Sequence, residues 1–429
     1  MRAASRCLKT IAVDRSNLLR FSRTNPKIDA LQQPLLAEII RDIQLQGPIT
    51  VAQYIQTALT HHKYGYYMHK DVFGKSGDFV TAPELSPVFG ELVGCWLVAA
   101  WQGLGAPERV RVIEAGPGRG TLLADVIRAS RSFPGFQSAV SFHLLEVSPH
   151  LRKTQKENLR LADPPMQIEW HDTLEQIPND APTLVIGHEL LDALPIHQFV
   201  LTAAGWREKL VDMRVDSPET SDGSLVHTGK PNGGSNVRDL DLDDRHLNFV
   251  LAHSPSPASI LFEKECNVRA QMGSVESEVC PSAREFVRKV ALRVSSCRGA
   301  ALFIDYGSDD MPRAHTLRGI LRHRFVHPLH SPGRVDLSAD VDFGALRRVV
   351  ERFTPSLLCG SILTQRTWLA AMGIEERTKV VLRGASSDDE FDSLVSASVR
   401  LVDMNGMGGS YRAFSFCHPS LGHGVLPGI

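Results

Sequence analysis

Nowhere in its 429 residues does the chain carry the run of roughly 18 apolar residues that a helix needs to cross a bilayer, so any membrane role is expected to be peripheral. It also lacks an excess of charge. Lys and Arg number 47 against 48 acids, and without a basic stripe there is no electrostatic reason to expect a nucleic-acid partner. The seven cysteines (7, 95, 266, 280, 297, 359 and 417) are scattered, odd in number and free of any C-x-x-C. That argues against a disulfide framework and a cysteine zinc site, and it fits a reducing compartment. No internal repeat is found. What is present, 43% hydrophobic and 22% charged residues, is the composition of a globular protein that can bury a sizeable core.

Two segments stand apart in character. Residues 1 to about 25 carry Arg2, Arg6, Lys9, Arg15, Arg20 and Arg23 against the single acid Asp14, with serines between them, which is the composition of a mitochondrial transit peptide. Asp216 to Asp244 is rich in Ser, Gly, Asp and Pro without apolar periodicity, and reads as an exposed, mobile insertion.

Between them, short apolar runs alternate with helical patterns. "RVRVIEAG", "VSFHLLEVS", "MQIEWHD" and "TLVIGHE" are β-prone, and each meets an acid or a glycine at its end. "TLLADVIRAS" and "HLRKTQKENL" have the spacing of crossover helices. The order predicts a doubly wound, Rossmann-like α/β sheet whose fifth strand is Arg298 to Gly307, with the last strand in "TKVVLR" or "SYRAFSF". In such sheets ligands bind beyond the carboxyl ends of the strands, where Glu114, Glu146, Asp172 and Glu189 all fall.

The four acids decide the ligand. Gly116, Gly118 and Gly120 are spaced G-x-G-x-G, not the G-x-G-x-x-G of a dinucleotide site, and Glu114 stands two residues ahead of the first. A carboxylate there repels a pyrophosphate but favours the ammonium and sulfonium of S-adenosylmethionine. The loop "GPG", with Pro117 at its centre, lets the backbone approach the ligand, and the following helix N-terminus can receive the methionine carboxylate. Glu146 is placed to accept from the ribose hydroxyls. Asp172 either meets the adenine amino group or caps the next helix. This is the pattern of a class I methyltransferase.

The motifs "GDFVTAPELSPVFGELVGCWL", "EAGPGRG", "LLEVSPHLR", "EWHDTL", "GHELLDALPIHQF", "ADVDF" and "TQRTWLAAMGI", in that order, resemble the MidA family of S-adenosylmethionine-dependent methyltransferases. The resemblance runs from about Pro26 onward and is strongest to the mitochondrial members that assist complex I assembly and dimethylate arginine symmetrically. It implies an arginine substrate on a complex I core subunit of the peripheral arm, an antiparallel final strand, and a location in the mitochondrial matrix. A non-catalytic assembly scaffold that keeps the fold is the alternative. A small-molecule or DNA methyltransferase is a weaker third.

On this reading Glu189 and Asp192 are the candidate catalytic acids, since carboxylates after the fourth strand can hold a guanidinium by forked hydrogen bonds. The alternative is that Asp192 caps or pairs locally and Glu189 merely starts the next helix. The segment around Asp78, Phe79 and Thr81 reads as a cofactor-covering lid, with Phe79 excluding water, or as a packed connection. His188 and His197 are expected near the site as packing or hydrogen-bonding residues or substrate contacts. No metal is expected: His315, His323, His327 and His330 crowd one region, but Pro328 interrupts them and Arg318, Arg322 and Arg324 oppose a cation. The expected organisation is a leader at 1–25, an N-terminal helical and lid region at 26–108, a cofactor-binding core at 109–194, an accessory substrate subdomain at 195–297 and the rest of the sheet at 298–429. Fused to a fluorescent protein, residues 1–25 are predicted to direct it to mitochondria; a diffuse cytosolic signal contradicts the leader.

Overall fold

The computed structural model describes residues 33–69, 81–160, 166–214, 246–309 and 314–429. The leader, Asp78, Phe79 and the insertion at 216–244 lie outside the described residues.

The chain enters through α1 (Pro34–Gln46) and α2 (Val51–Thr60). Thr50 opens α2 with a capping box: its Oγ1 accepts from Gln53 N at 3.1 Å while Gln53 Oε1 accepts from Thr50 N at 2.9 Å. The long α3 (Pro87–Gly103) begins on Ser86, whose hydroxyl accepts from Val88 N, with Pro87 at the first helical position. Then come β1 (Val110–Ala115), α4 (Thr121–Ser130), β2 (Val140–Leu145), α5 (Pro149–Leu159), β3 (Ile168–His171) and β4 (Thr183–His188).

A second set of strands follows: β5 (His197–Thr202), β6 (Gly205–Met213), β7 (Leu247–Leu251) and β8 (Glu276–Val279). After α6 (Pro281–Cys297) the chain returns to the first sheet as β9 (Gly299–Ser308). It then forms a small sheet of β10 (Arg318–Leu321), β11 (Arg324–Val326) and β12 (Asp336–Ser338), then α7 (Phe343–Phe353), the short β13 (Leu358–Cys359) and β14 (Tyr411–Cys417).

The central sheet runs β13-β14-β9-β4-β1-β2-β3. The strands β3, β2, β1, β4 and β9 pair in parallel, and β14 lies antiparallel to β9 with Ala300 opposite Cys417. Of the two expected last strands, "SYRAFSF" is the antiparallel one. "TKVVLR" falls in the helix Ile374–Leu382, where Val381 packs against the core under α3 while Val380 stays exposed.

The inner strands β1, β2, β4 and β9 are buried on both faces, which is why they read as continuous apolar runs, whereas the edge strand β3 stays half-buried. Val112, Leu184 and Leu302 join the core under α3 and α4. Their neighbours Ile113, Val185 and Phe303 join the one under α6 and α7. A further core gathers Leu36, Ile39, Tyr54 and Ile55 of α1 and α2 with Val211 of the accessory sheet and Leu337 of β12. The N-terminal helices therefore pack on the accessory sheet, while α6 packs on the central one.

Helix α3 approaches α4 through two glycines. A Cβ at Gly90 would stand 2.4 Å from Asp125 Cβ, and one at Gly94 would stand 3.2 Å from Ala129 Cβ and 3.3 Å from Val126 Cα. Gly94→Leu is predicted to destabilise the protein by about 1–3 kcal/mol through overpacking. Cys95→Ser, on the exposed side of the same helix, should stay within about 0.5 kcal/mol. Denaturant unfolding of both variants measures the difference, and equal midpoints contradict the packing account.

Candidate active site

The chain runs from β1 to β2 to β3 in one direction and then returns to β4 on the other side of β1, so a crevice opens where the order reverses. There the carboxyl ends of the strands line a cavity of about 480 Å³. Past Glu114 the backbone turns through Gly116, Gly118 and Gly120 at φ +68°, +54° and +82°, a region that L side chains disfavour. At Gly116 a Cβ would also come within 2.9 Å of Leu190 Cδ1. Helix α4 starts at Thr121, so its first-turn N–H groups, which have no partner within the helix, lie beside the loop.

Gln155, fully buried on α5, ties this half together. Its Nε2 donates to Gly118 O at 2.7 Å and to Glu146 Oε2 at 3.1 Å, and its Oε1 accepts from Trp170 Nε1 at 2.8 Å. The other oxygen of Glu146 accepts from Ser148 N at 2.8 Å. Glu114 is buried, and among the described residues it has no hydrogen-bond partner.

The other half follows β4. Glu189 has φ +47°, uncommon for a residue with a side chain, and its Oε1 accepts from Tyr411 Oη at 2.7 Å. Three residues on, Asp192 Oδ2 accepts from Ser338 Oγ at 2.9 Å. That hydroxyl also accepts from Arg318, whose guanidinium donates to Asp340 and lies 5.3 Å from the ring centre of Tyr306. Asp305, in the carboxyl half of β9, accepts on Oδ2 from the backbone N–H of Leu190, Leu191 and Asp192 at 3.1, 2.8 and 3.3 Å. Tyr67 donates to Asp336 Oδ1 at 2.8 Å across the mouth.

Glu114, Gly116, Pro117, Gly118, Glu146, Asp172, Thr81, His188, Glu189 and Asp192 all line this one cavity. Gly120 does not: it precedes α4, and its Cβ direction points at Gln155 and Leu159. His197 does not line the cavity: it stands on the accessory sheet, where its ring pairs with Glu208 at 2.6 Å, the hydrogen-bonding role read for it. Asp172 accepts from Arg152 at 2.7 Å, and the short helical turn after it is capped by Thr173, so the capping reading of Asp172 fails.

His188 packs its ring on Phe89 at 4.9 Å. Away from the cavity, His315 bonds Lys209 Nζ at 2.9 Å. Asp305 was missed because it lies inside β9, not at its end as the other acids do. Gln155, Tyr67 and Asp336 carry no comparable sequence signal.

The chain has relatives. A family model described as "Putative S-adenosyl-L-methionine-dependent methyltransferase" matches residues 92–356. The Danio rerio protein named "Protein arginine methyltransferase NDUFAF7, mitochondrial" is 33% identical over 427 residues, covering 93% of this chain and 92% of that one. The Homo sapiens protein of the same name is 32% identical over 415 residues, covering 92% and 86%. A crystal structure of a superfamily member from Burkholderia thailandensis, bound to S-adenosyl-homocysteine, matches with a TM-score of 0.71 at 27% identity, over 92% of this chain and 95% of that one.

Burial sets the protonation of the cavity. It raises Glu114 from 4.5 to about 8, and Glu189 likewise to about 8, where the Tyr411 hydroxyl pulls the other way. Asp192 is raised by burial against the bond from Ser338, and Asp305 well above its usual value by burial and then by the Asp192 charge. Burial lowers His188 to about 3. For Glu114 the folded chain keeps a proton that the unfolded chain has released, so its contribution to stability is lost as pH rises from about 4.5 to about 8. Glu114→Gln is therefore predicted to match the wild type near pH 5 and to be more stable at pH 8. The gain should be of the order of a few kcal/mol at most, since each pKa unit is worth about 1.36 kcal/mol. Thermal unfolding at the two pH values checks this, and a variant less stable at pH 8 contradicts it.

Proposed function

Because this chain belongs to the family of S-adenosyl-L-methionine-dependent methyltransferases, we propose that it methylates arginine of a protein substrate, forming symmetric dimethylarginine on a complex I core subunit of the peripheral arm in the mitochondrial matrix. The curated relatives are named mitochondrial protein arginine methyltransferases, which supports this choice of substrate and place. The observation that carries it is the acid group on one side of the cavity, where half-buried Glu189 and Asp192 line the wall with buried Asp336, and buried Asp305 stands behind them on the backbone of Leu190 to Asp192.

The residues present fit the cofactor. Glu114 is a buried carboxylate without a partner among the described residues, suited to an ammonium. The loop disfavours side chains, by positive φ at Gly116 and Gly118 and by the nearness of Leu190 at Gly116, and Glu146 is fixed after β2, where it would meet a diol. When bound, S-adenosylmethionine supplies an electrophilic methyl group on its sulfonium. Glu189 and Asp192 would hold the guanidinium by charge-assisted bonds and favour one nitrogen as the nucleophile. Burial raises Glu189 to about 8 in the free chain, so the arriving guanidinium would ionise it, and the carboxylate so formed would be suited to take back the proton that the methylated nitrogen releases. His188 stays neutral at physiological pH, so it adds no charge to repel the guanidinium. Phe89 and Tyr411 flank its ring and keep that wall dry.

Two variants separate binding from chemistry. Gly118→Val, at φ +54°, is predicted to abolish S-adenosylmethionine binding in calorimetry. Asp192→Asn should bind the cofactor normally yet lose methyl transfer roughly tenfold to a hundredfold, since a lost charge-assisted bond is worth about 1.5–3 kcal/mol. Methylation of an arginine peptide, read by mass spectrometry, measures the second effect. Undiminished transfer by Asp192→Asn removes that residue from the reaction, and unchanged cofactor affinity in Gly118→Val removes the cofactor site.

A further inference from the structure

Outside the cavity, parallel pairing of β2 with β3 brings three potential ligands together. His143 lies opposite Glu169, and His171 is two residues further along β3. His143 Nδ1 stands 3.0 Å from His171 Nε2, and each of these nitrogens stands 3.9 Å from Glu169 Oε2. We infer that His143, Glu169 and His171 form a binding site for one zinc ion that clips the edge strand β3 to β2.

The spacing fits a metal better than a lone hydrogen bond does. The centre of a triangle with those sides lies about 2.1 Å from every corner, the length of a Zn–N or Zn–O bond. Two imidazoles and a carboxylate are a donor set zinc takes up, leaving a fourth position for water. The outer partners are in place as well. The far nitrogen of His143 lies 3.1 Å from Ser141 Oγ, which fixes the ring, and Gln167 Nε2 donates to Glu169 Oε1 at 2.9 Å, leaving Oε2 turned to the histidines. Side-chain exposure falls from 46% at Glu169 to 11% at His171 and 3% at His143, so an ion can enter past Glu169 and be enclosed on the other sides. Arg111, Arg152 and Arg293 are the opposing charges, but Arg111 pairs with Asp180, Arg152 with Asp172, and Arg293 is engaged by the carbonyls of Leu174, Ile177 and Pro178.

The site also borders the cavity. His171 O accepts from Glu146 N at 3.1 Å, and Asp172 follows directly. A clip at this edge therefore steadies the rim expected to hold the ribose and adenine of the cofactor.

The test uses the full chain without a histidine tag, stripped of metal and titrated with Zn²⁺ alone. One ion per chain is expected, with Co²⁺ giving the visible absorption of a tetrahedral nitrogen and oxygen site. Glu169→Gln and His171→Ala should abolish stoichiometric binding, and Ser141→Ala should weaken it roughly tenfold as loss of an outer partner does. Circular dichroism confirms that each variant is folded, and Glu169, on the exposed side, is the safest to change. The inference is overturned if the wild type takes up no stoichiometric Zn²⁺, or if Glu169→Gln and His171→Ala bind it as the wild type does.

Discussion

Three successive backbone N–H groups, those of Leu190, Leu191 and Asp192, converge on one buried carboxylate oxygen of Asp305. The rest of the cavity depends on that convergence. It satisfies donors that would otherwise be orphaned as the chain leaves β4, and it holds Glu189 at a positive φ that an unsupported residue would relax out of. It also sets Asp192 where Ser338 and the Arg318 charge reach it. Gln155 plays the matching part on the other side by joining the glycine loop to Glu146. Two buried polar side chains, one on β9 and one on α5, thus fix the two walls of the cavity.

Much of this was legible because it is local. A strand buried on both faces shows as an apolar run, a backbone at positive φ shows as glycine, and an acid at a strand end shows in its place, so Glu114, Gly116, Gly118, Glu146, Glu189 and Asp192 could be read along the chain. What was not legible depends on pairing. Gln155 is one polar residue on a polar helix until α5 is laid against the glycine loop. Asp336 matters only because β12 returns it to Tyr67, 269 positions away. His197 follows Asp192 by five residues, yet the chain turns into another sheet between them. "TKVVLR" has strand composition, and its tertiary context makes it a helix.

The same reasoning accounts for the histidines. The visible cluster from His315 to His330 drew attention because it is contiguous in sequence. His143, Glu169 and His171 stand on two strands and meet only through the register of a parallel sheet, which no linear spacing displays. Their position at the sheet edge, next to the strand ends that form the cavity, joins a structural feature of the core to the face where the chemistry is expected.

The central claim is that the cavity keeps Glu114 desolvated and protonated until a cation arrives to ionise it. Calorimetry of S-adenosylmethionine binding near pH 7, in two buffers of different ionisation enthalpy, reads the proton directly. With the Glu114 pKa at about 8 in the free chain, binding should release a proton, and Glu114→Gln should release about one fewer per cofactor. Binding with no proton release in the wild type, or with the same release in the variant, would contradict it.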